Sequence, residues 1–144
     1  MRTPIEIRQV ADIRLEEAYL LYEDTYYEGA YYLAGYCVEL YLKAKICETL
    51  DIDNLFDATF TEKEIARPFK IHKLDSLLWL CGLKKKFEIE INSNHQFLKE
   101  WSRIVNWSED TRYLPKGTIS QAKAFEMIDA IQNKNGFLTW IKKY

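Results

Sequence analysis

Arg67 and His72 form one candidate catalytic pair in this 144-residue chain, which has only two histidines. Four residues separate them, and both lie in a basic segment. An arginine can hold a phosphodiester while a neighbouring histidine moves a proton near neutral pH, which is what metal-free RNA cleavage requires. The pair therefore indicates a metal-independent ribonuclease. A histidine that caps a helix beside an arginine in a loop fits the same spacing, and both interpretations stay open.

The basic segment covers residues 63–86, which carry seven basic and two acidic side chains, a balance of +5. Residues 1–62 carry five basic and thirteen acidic side chains, a balance of −8, and the whole chain has a net charge of −2. A basic patch in an acidic chain is typical of phosphate binding. We therefore take Lys70 and Lys73 as candidate RNA or nucleotide contacts, with a solvated loop and helix end as the alternative.

Arg112 and Tyr113 form a second candidate nucleotide contact. A cation beside an aromatic ring can bind a phosphate and stack on a base. In the alternative interpretation, Arg112 locks its own loop through Glu109 or Asp110, and Tyr113 packs beneath it.

Several classes of site are missing from the sequence. It contains no glycine-rich phosphate loop, no Gly-x-Ser-x-Gly and no His-Glu-x-x-His. No cysteine pairs with another cysteine or a histidine at the spacing of a zinc site. We therefore expect no cofactor and no metal. The three cysteines, Cys37, Cys47 and Cys81, are expected to be reduced and buried.

The composition predicts one globular domain over residues 1–144, since 48% of the residues are apolar and 29% are charged. Only five glycines and three prolines occur, which argues against a turn-rich β protein. No apolar stretch reaches the roughly 20 residues of a membrane span. The first residues lack the apolar run of a signal peptide, so we predict a cytoplasmic protein with no membrane contact.

Hydrophobic periodicity predicts an all-α fold, an up-and-down bundle of four to five helices with one long crossover loop. The predicted helices are, in order, residues 5–22, 26–50 and 72–81, a helix capped by Ser93 that reaches about residue 107, and a helix capped by Thr118 that ends or bends at Asn135. Residues 51–71 form the long connection, in which Thr61 could cap one turn. Residues 86–91 alternate like a strand but have no second strand to pair with, so we predict an extended connector.

The second predicted helix, residues 26–50, is expected at the centre of the bundle because 17 of its 25 residues are apolar. Its polar side chains fall on one narrow stripe that includes Glu39 and Lys43. These two have the favourable order for an ion pair four residues apart. Gly35 lies on the same stripe and predicts the close approach of another helix.

Three segments carry a resemblance to a known family. The stretch GAYYLAGYCVELYLKAK, residues 29–45, resembles the signature helix of HEPN domains. His72, Leu74 and the leucines that follow resemble the opening of the next helix in that family. The segment from Trp107 to Arg112-Tyr113 is similar to the element before its last helix. The resemblance covers about residues 11–140.

The resemblance implies an all-helical, usually dimeric protein tied to RNA. Many HEPN members are metal-independent ribonucleases, often toxins. Others are partners of small nucleotidyltransferases or bind RNA or nucleotides without catalysis. Catalytic members carry an Arg-x4-6-His motif late in the core. Here no histidine follows His95, so Arg112 lacks a downstream partner, and Arg67 and His72 lie ahead of the third predicted helix.

Our leading hypothesis is a HEPN-like, non-catalytic homodimeric module that binds RNA, a nucleotide or a nucleotidyltransferase partner, in a toxin–antitoxin or defence setting. Its contacts would be Arg112, Tyr113, Lys70 and Lys73. The first alternative is a metal-independent ribonuclease that uses Arg67 and His72. The second is a structural or regulatory module whose only ligand is another protein.

Overall fold

The computed structural model describes residues 3–57, 59 and 62–144, and helices without any strand make up the regular structure of that part of the chain. The all-α prediction is confirmed. The α-helices are α1 (Pro4–Glu23), α2 (Tyr27–Leu50), α3 (Lys63–Ala66), α4 (Leu74–Leu80), α5 (Lys84–Ser93), α6 (His95–Ile104), α7 (Gln121–Gln132) and α8 (Phe137–Ile141). Short 3-10 helices span Arg67–Phe69 and Glu109–Tyr113. The chain is thus divided into more elements than the five helices predicted.

Helices α1 and α2 form an antiparallel pair. Thr3 caps α1 with a capping box, in which its hydroxyl accepts from the backbone N–H of Glu6 and the Glu6 side chain accepts from the backbone N–H of Thr3. The helix ends at Glu23 with Asp24 as its C-cap, and Thr25 adopts a φ of 68° in the turn. The predicted break between the first two helices is therefore confirmed.

Helix α2 is the central helix, as predicted. It packs against α1, α7 and α4, and buried side chains occur on most of its sides. The prediction that another helix approaches closely at Gly35 is wrong, because the side chain of Trp107, which lies outside the helices, occupies that space. A Cβ built on Gly35 would lie 2.1 Å from Cδ1 of Trp107. The indole Nε1 of Trp107 donates to the backbone oxygen of Tyr32 at 3.1 Å, which fixes the ring over the glycine.

The prediction of an extended connector at residues 86–91 is wrong, because this segment belongs to α5. Phe87 is buried and Ile91 is partly buried, four residues apart on one helical face. Ile89, which suggested the alternation, is 68% exposed. Phe87 packs edge-to-face on Phe97 and Trp101, so core aromatic contacts hold the helix in place.

The predicted caps of the last two long helices are also wrong. Asn94, not Ser93, caps α6 by accepting from the backbone N–H of Phe97 at 3.2 Å. Ser120, not Thr118, caps α7 by accepting from the backbone N–H of Lys123 at 3.1 Å. The cap proposed at Thr61 lies outside the described residues. The third predicted helix begins later than expected, at Leu74.

The three cysteines are free and buried, as expected. They belong to one hydrophobic core built from α1, α2 and α4 to α8. Burial raises the pKa of Cys47 to about 11. None of the helices among the described residues combines the length and apolar composition that a membrane crossing requires.

Candidate functional site

The segment between the 3-10 helix Arg67–Phe69 and α4 carries the candidate site. Phe69 and Ile71 pack against the hydrophobic core, while Lys70 and His72 are exposed. Lys73 follows at the N-terminal cap of α4. Apolar and basic side chains therefore alternate along this segment. The apolar side chains fix its backbone against the core, and the basic ones remain available for contact with a ligand.

Glu39 anchors this segment to the central helix. Its side chain is 1% exposed, and its Oε1 atom accepts from Lys43 Nζ at 2.6 Å and lies 2.8 Å from His72 Nδ1. The predicted ion pair between Glu39 and Lys43 is confirmed. A buried carboxylate is costly unless it is paired, so these contacts stabilise it. The Oε2 atom is buried and has no hydrogen-bond partner among the described residues.

The contact with Glu39 assigns the two ring nitrogens of His72 different roles. An ionised carboxylate can only accept, so Nδ1 carries the hydrogen in this pair. The His72 side chain is 46% exposed. Nε2 is therefore the ring atom left for solvent or for a ligand.

A cleft of about 240 Å³ lies on one side of His72. Apolar and aromatic side chains form part of its lining, and Lys43, Lys70 and His72 form the rest; the apolar and aromatic members are Ile7, Tyr36, Leu40 and Phe56. Lys43 Nζ lies 5.1 Å from the centroid of the Phe56 ring. Burial, followed by the nearby Glu39 charge, raises the pKa of Tyr36. We call this the aromatic cleft.

A second cleft of about 710 Å³ lies on the other side of the same segment. Lys70, His72 and Lys73 contribute to it, and Ser76 and Asn106 add polar groups. Trp107, Ser108 and Glu109 complete its far wall. We call this the polar cleft. Because Lys70 and His72 line both clefts, the segment 70–72 forms the wall between them.

A stack of three aromatic rings connects the two clefts through the protein. Tyr32 stacks on Tyr36 with ring centroids 6.0 Å apart, and on Trp107 with centroids 5.9 Å apart. Tyr36 lines the aromatic cleft and Trp107 lines the polar cleft. Tyr32 therefore occupies the space between them.

Arg112 joins this stack at its edge. Hydrogen bonds with the side chains of Tyr32 and Tyr113 raise the pKa of Arg112, whose guanidinium carbon lies 4.8 Å from the centroid of the Tyr113 ring. Tyr113 is 72% exposed rather than packed beneath the loop. Among the described residues Arg112 forms no ion pair with Glu109 or Asp110, and its side-chain partners are Tyr32 and Tyr113, so the alternative in which it locks the loop through those carboxylates is wrong.

Arg67 is exposed in its 3-10 helix and lines neither cleft, whereas His72 lines both. Lys70 is the basic side chain of this segment that lines both clefts together with His72. Over the described ranges, no group of three or more metal-ligating side chains is positioned to hold an ion.

Sequence analysis missed the aromatic members of the site, although one signal was present. Tyr32, Tyr36, Glu39 and Lys43 are spaced by four, three and four residues, which places them on one face of a helix. Phe56 gave no such signal because it lies in the long connection.

Comparison of the chain with protein-family models, with curated proteins and with solved structures finds no match in any of the three. The resemblance to HEPN domains therefore stays a prediction.

Proposed function

We propose that this protein is a binding module for RNA or nucleotides, and that Lys70 and His72 contact the phosphate. One observation carries the proposal: both side chains come from one short segment and line both clefts. A ligand that occupies either cleft must therefore pass beside them. The lining of the polar cleft adds the positive charge of Lys73 and the negative charge of Glu109.

The aromatic cleft offers a binding place for the base of a nucleotide. A nucleotide combines a flat aromatic base with a charged phosphate, so its site needs apolar or aromatic walls next to cations. Tyr36 and Phe56 provide such walls beside Lys43 and Lys70. A base in this cleft leaves its phosphate at the segment 70–72.

The salt dependence of RNA binding tests this proposal. Each lysine that neutralises a phosphate contributes about one unit to the slope of log K against log salt concentration. We expect Lys70→Ala to weaken the binding of single-stranded RNA in EDTA and to reduce that slope by about one unit. Lys134→Ala is the matched control, because Lys134 is exposed between α7 and α8 and lines neither cleft. Equal affinities and slopes in the two variants would contradict the proposal.

A second candidate function is metal-independent cleavage of RNA, and the contact between Glu39 and His72 favours it. A carboxylate that holds Nδ1 of a histidine fixes the ring and directs Nε2 at the substrate, as a general acid or base requires. Arg67, which the sequence assigned to the phosphate contact, lines neither cleft, so the phosphate contact would pass to Lys70.

The assembly state is a proposal of its own, since it comes from the resemblance to HEPN domains. We propose a homodimer, with a nucleotidyltransferase as a further partner protein and a toxin–antitoxin or defence setting. A molar mass near 17.2 kDa by light scattering at micromolar concentration would contradict the dimer. The cytoplasmic location stays a prediction.

A further inference from the structure

Trp79 is the exposed tryptophan of this protein. Its side chain is 63% exposed, whereas Trp101, Trp107 and Trp140 are buried. Lys84 Nζ lies 4.8 Å from the centroid of the Trp79 ring. A large open aromatic surface next to a cation is the combination that base stacking and phosphate binding use together.

The exposed face of α4 connects Trp79 to the polar cleft. Lys73 and Ser76 both line that cleft, and Trp79 follows Ser76 by three residues. Residues three apart in a helix are neighbours offset by about 60° around its axis, so Lys73 at the cap, Ser76 and Trp79 form a row that winds around α4. At 1.5 Å per residue, the row extends about 9 Å along the helix from Lys73. Lys84, at the start of α5, lies at its far end.

We infer that the ligand of the clefts is a single-stranded RNA rather than a mononucleotide, and that the strand leaves the polar cleft along α4 to stack a base on Trp79. This inference rests on the proposed function. Lys73 contacts the backbone of the strand close to the cleft, and Lys84 contacts it beside Trp79. Stacking on an aromatic ring accepts any base, so the contact at Trp79 adds affinity without sequence selection.

Charge favours a nucleic acid over an apolar protein surface as the occupant of this row. Residues 63–86 carry a balance of +5, and Lys84 lies over the exposed ring of Trp79. A polyphosphate strand supplies one negative charge per nucleotide, so it complements this charge better than an apolar surface does.

Tryptophan fluorescence measures this contact when the wild type is compared with Trp79→Phe, because Trp107 also lines the polar cleft and its fluorescence responds to the same ligand. Oligoadenylate and AMP serve as the strand and mononucleotide probes. We expect oligoadenylate to quench the fluorescence of the wild-type protein at Trp79. Trp79→Ala should weaken oligoadenylate binding about 5- to 160-fold, since one stacked base contributes about 1–3 kcal/mol. It should thereby reduce the preference for oligoadenylate over AMP.

Two further variants complete the test. Trp79→Phe keeps a ring for stacking, so it should retain most of the oligoadenylate affinity. It should lose the part of the fluorescence quenching that comes from Trp79. Phe125→Ala is the matched control, because it removes an exposed aromatic ring of α7 that lines neither cleft. Its oligoadenylate affinity should equal that of the wild type.

The outcomes separate the inference from the proposed function. Wild-type oligoadenylate affinity in Trp79→Ala, together with weakened binding in Lys70→Ala, would overturn the strand path and leave the proposed function standing. Wild-type affinity in both variants would overturn both. Quenching by an acidic peptide but not by oligoadenylate would overturn the inference in favour of a protein ligand.

Discussion

His72 Nδ1 lies 2.8 Å from Oε1 of Glu39, although the two residues are 33 positions apart in the chain. The contact joins a half-exposed side chain of a connecting segment to a carboxylate buried in the central helix. Lys43 contacts the same oxygen, so one carboxylate holds two cationic or ionisable groups at the wall of the aromatic cleft. The orientation of His72 toward both clefts depends on Glu39.

The first prediction concerns this buried carboxylate. Glu39→Gln keeps the side-chain shape but removes the charge that Lys43 and His72 share, so we expect the free energy of unfolding to fall by about 1–3 kcal/mol. Urea unfolding at neutral pH measures the change. Glu48→Gln is the control, since Glu48 also pairs with two basic side chains, Arg8 and Lys45, but lies at the surface, where each ion pair contributes at most about 1 kcal/mol. Equal losses in the two variants would contradict a special role for Glu39.

This site shows what the sequence could reveal and what it could not. The pair of Glu39 and Lys43 follows from helical spacing alone, and the structure confirms it. The contact with His72 crosses the long connection, whose path depends on where Phe69 and Ile71 find space in the core. No local pattern encodes that path.

The errors at α5 and at the helix caps have a different cause. Phe87, Ile89 and Ile91 alternate in sequence, and only the neighbours of Phe87 in the folded core decide that Ile89 faces outward. Near the caps, more than one side chain can accept the same type of hydrogen bond. Ser93 and Asn94 are adjacent, and the packing of α6 selects between them.

A second prediction concerns alkaline pH. Burial raises the pKa of Cys47 to about 11, above the roughly 8.5 of an unfolded thiol. A raised pKa means that the folded state favours the protonated thiol. Stability is therefore complete below about pH 8.5 and declines as the pH rises toward 11. Urea unfolding at a series of pH values should show this decline.

Cys47→Ala removes one of the groups that cause this loss of stability. The free energy of unfolding should therefore fall less steeply at alkaline pH in this variant. The decline should not vanish, because burial also raises the pKa of Cys81 and of Tyr31. An unchanged pH dependence in Cys47→Ala would show that the thiol does not contribute.

A third prediction concerns the glycine beneath Trp107. The Cβ of Gly35→Ala would lie 2.1 Å from the indole ring, so Trp107 must move and give up its hydrogen bond to Tyr32. We expect the free energy of unfolding to fall by about 1–3 kcal/mol. The added Cβ of Gly29→Ala meets only the flexible end of Leu21, at 3.1 Å. That control should be neutral or slightly stabilising, because alanine is the better helix former. Similar destabilisation in both variants would contradict the packing argument.

The last prediction separates binding from catalysis. Single-stranded RNA incubated with the protein in EDTA should stay intact and be retained in a gel shift, because Arg67 lines neither cleft and the phosphate contacts of Lys70 bind without moving a proton. His72→Ala should weaken the shift, since it removes a side chain that lines both clefts beside the phosphate. RNA cleavage by the wild type that His72→Ala abolishes would instead support the second candidate function, with Nε2 of His72 as the acid or base. Intact RNA with no shift would direct the search to a protein ligand.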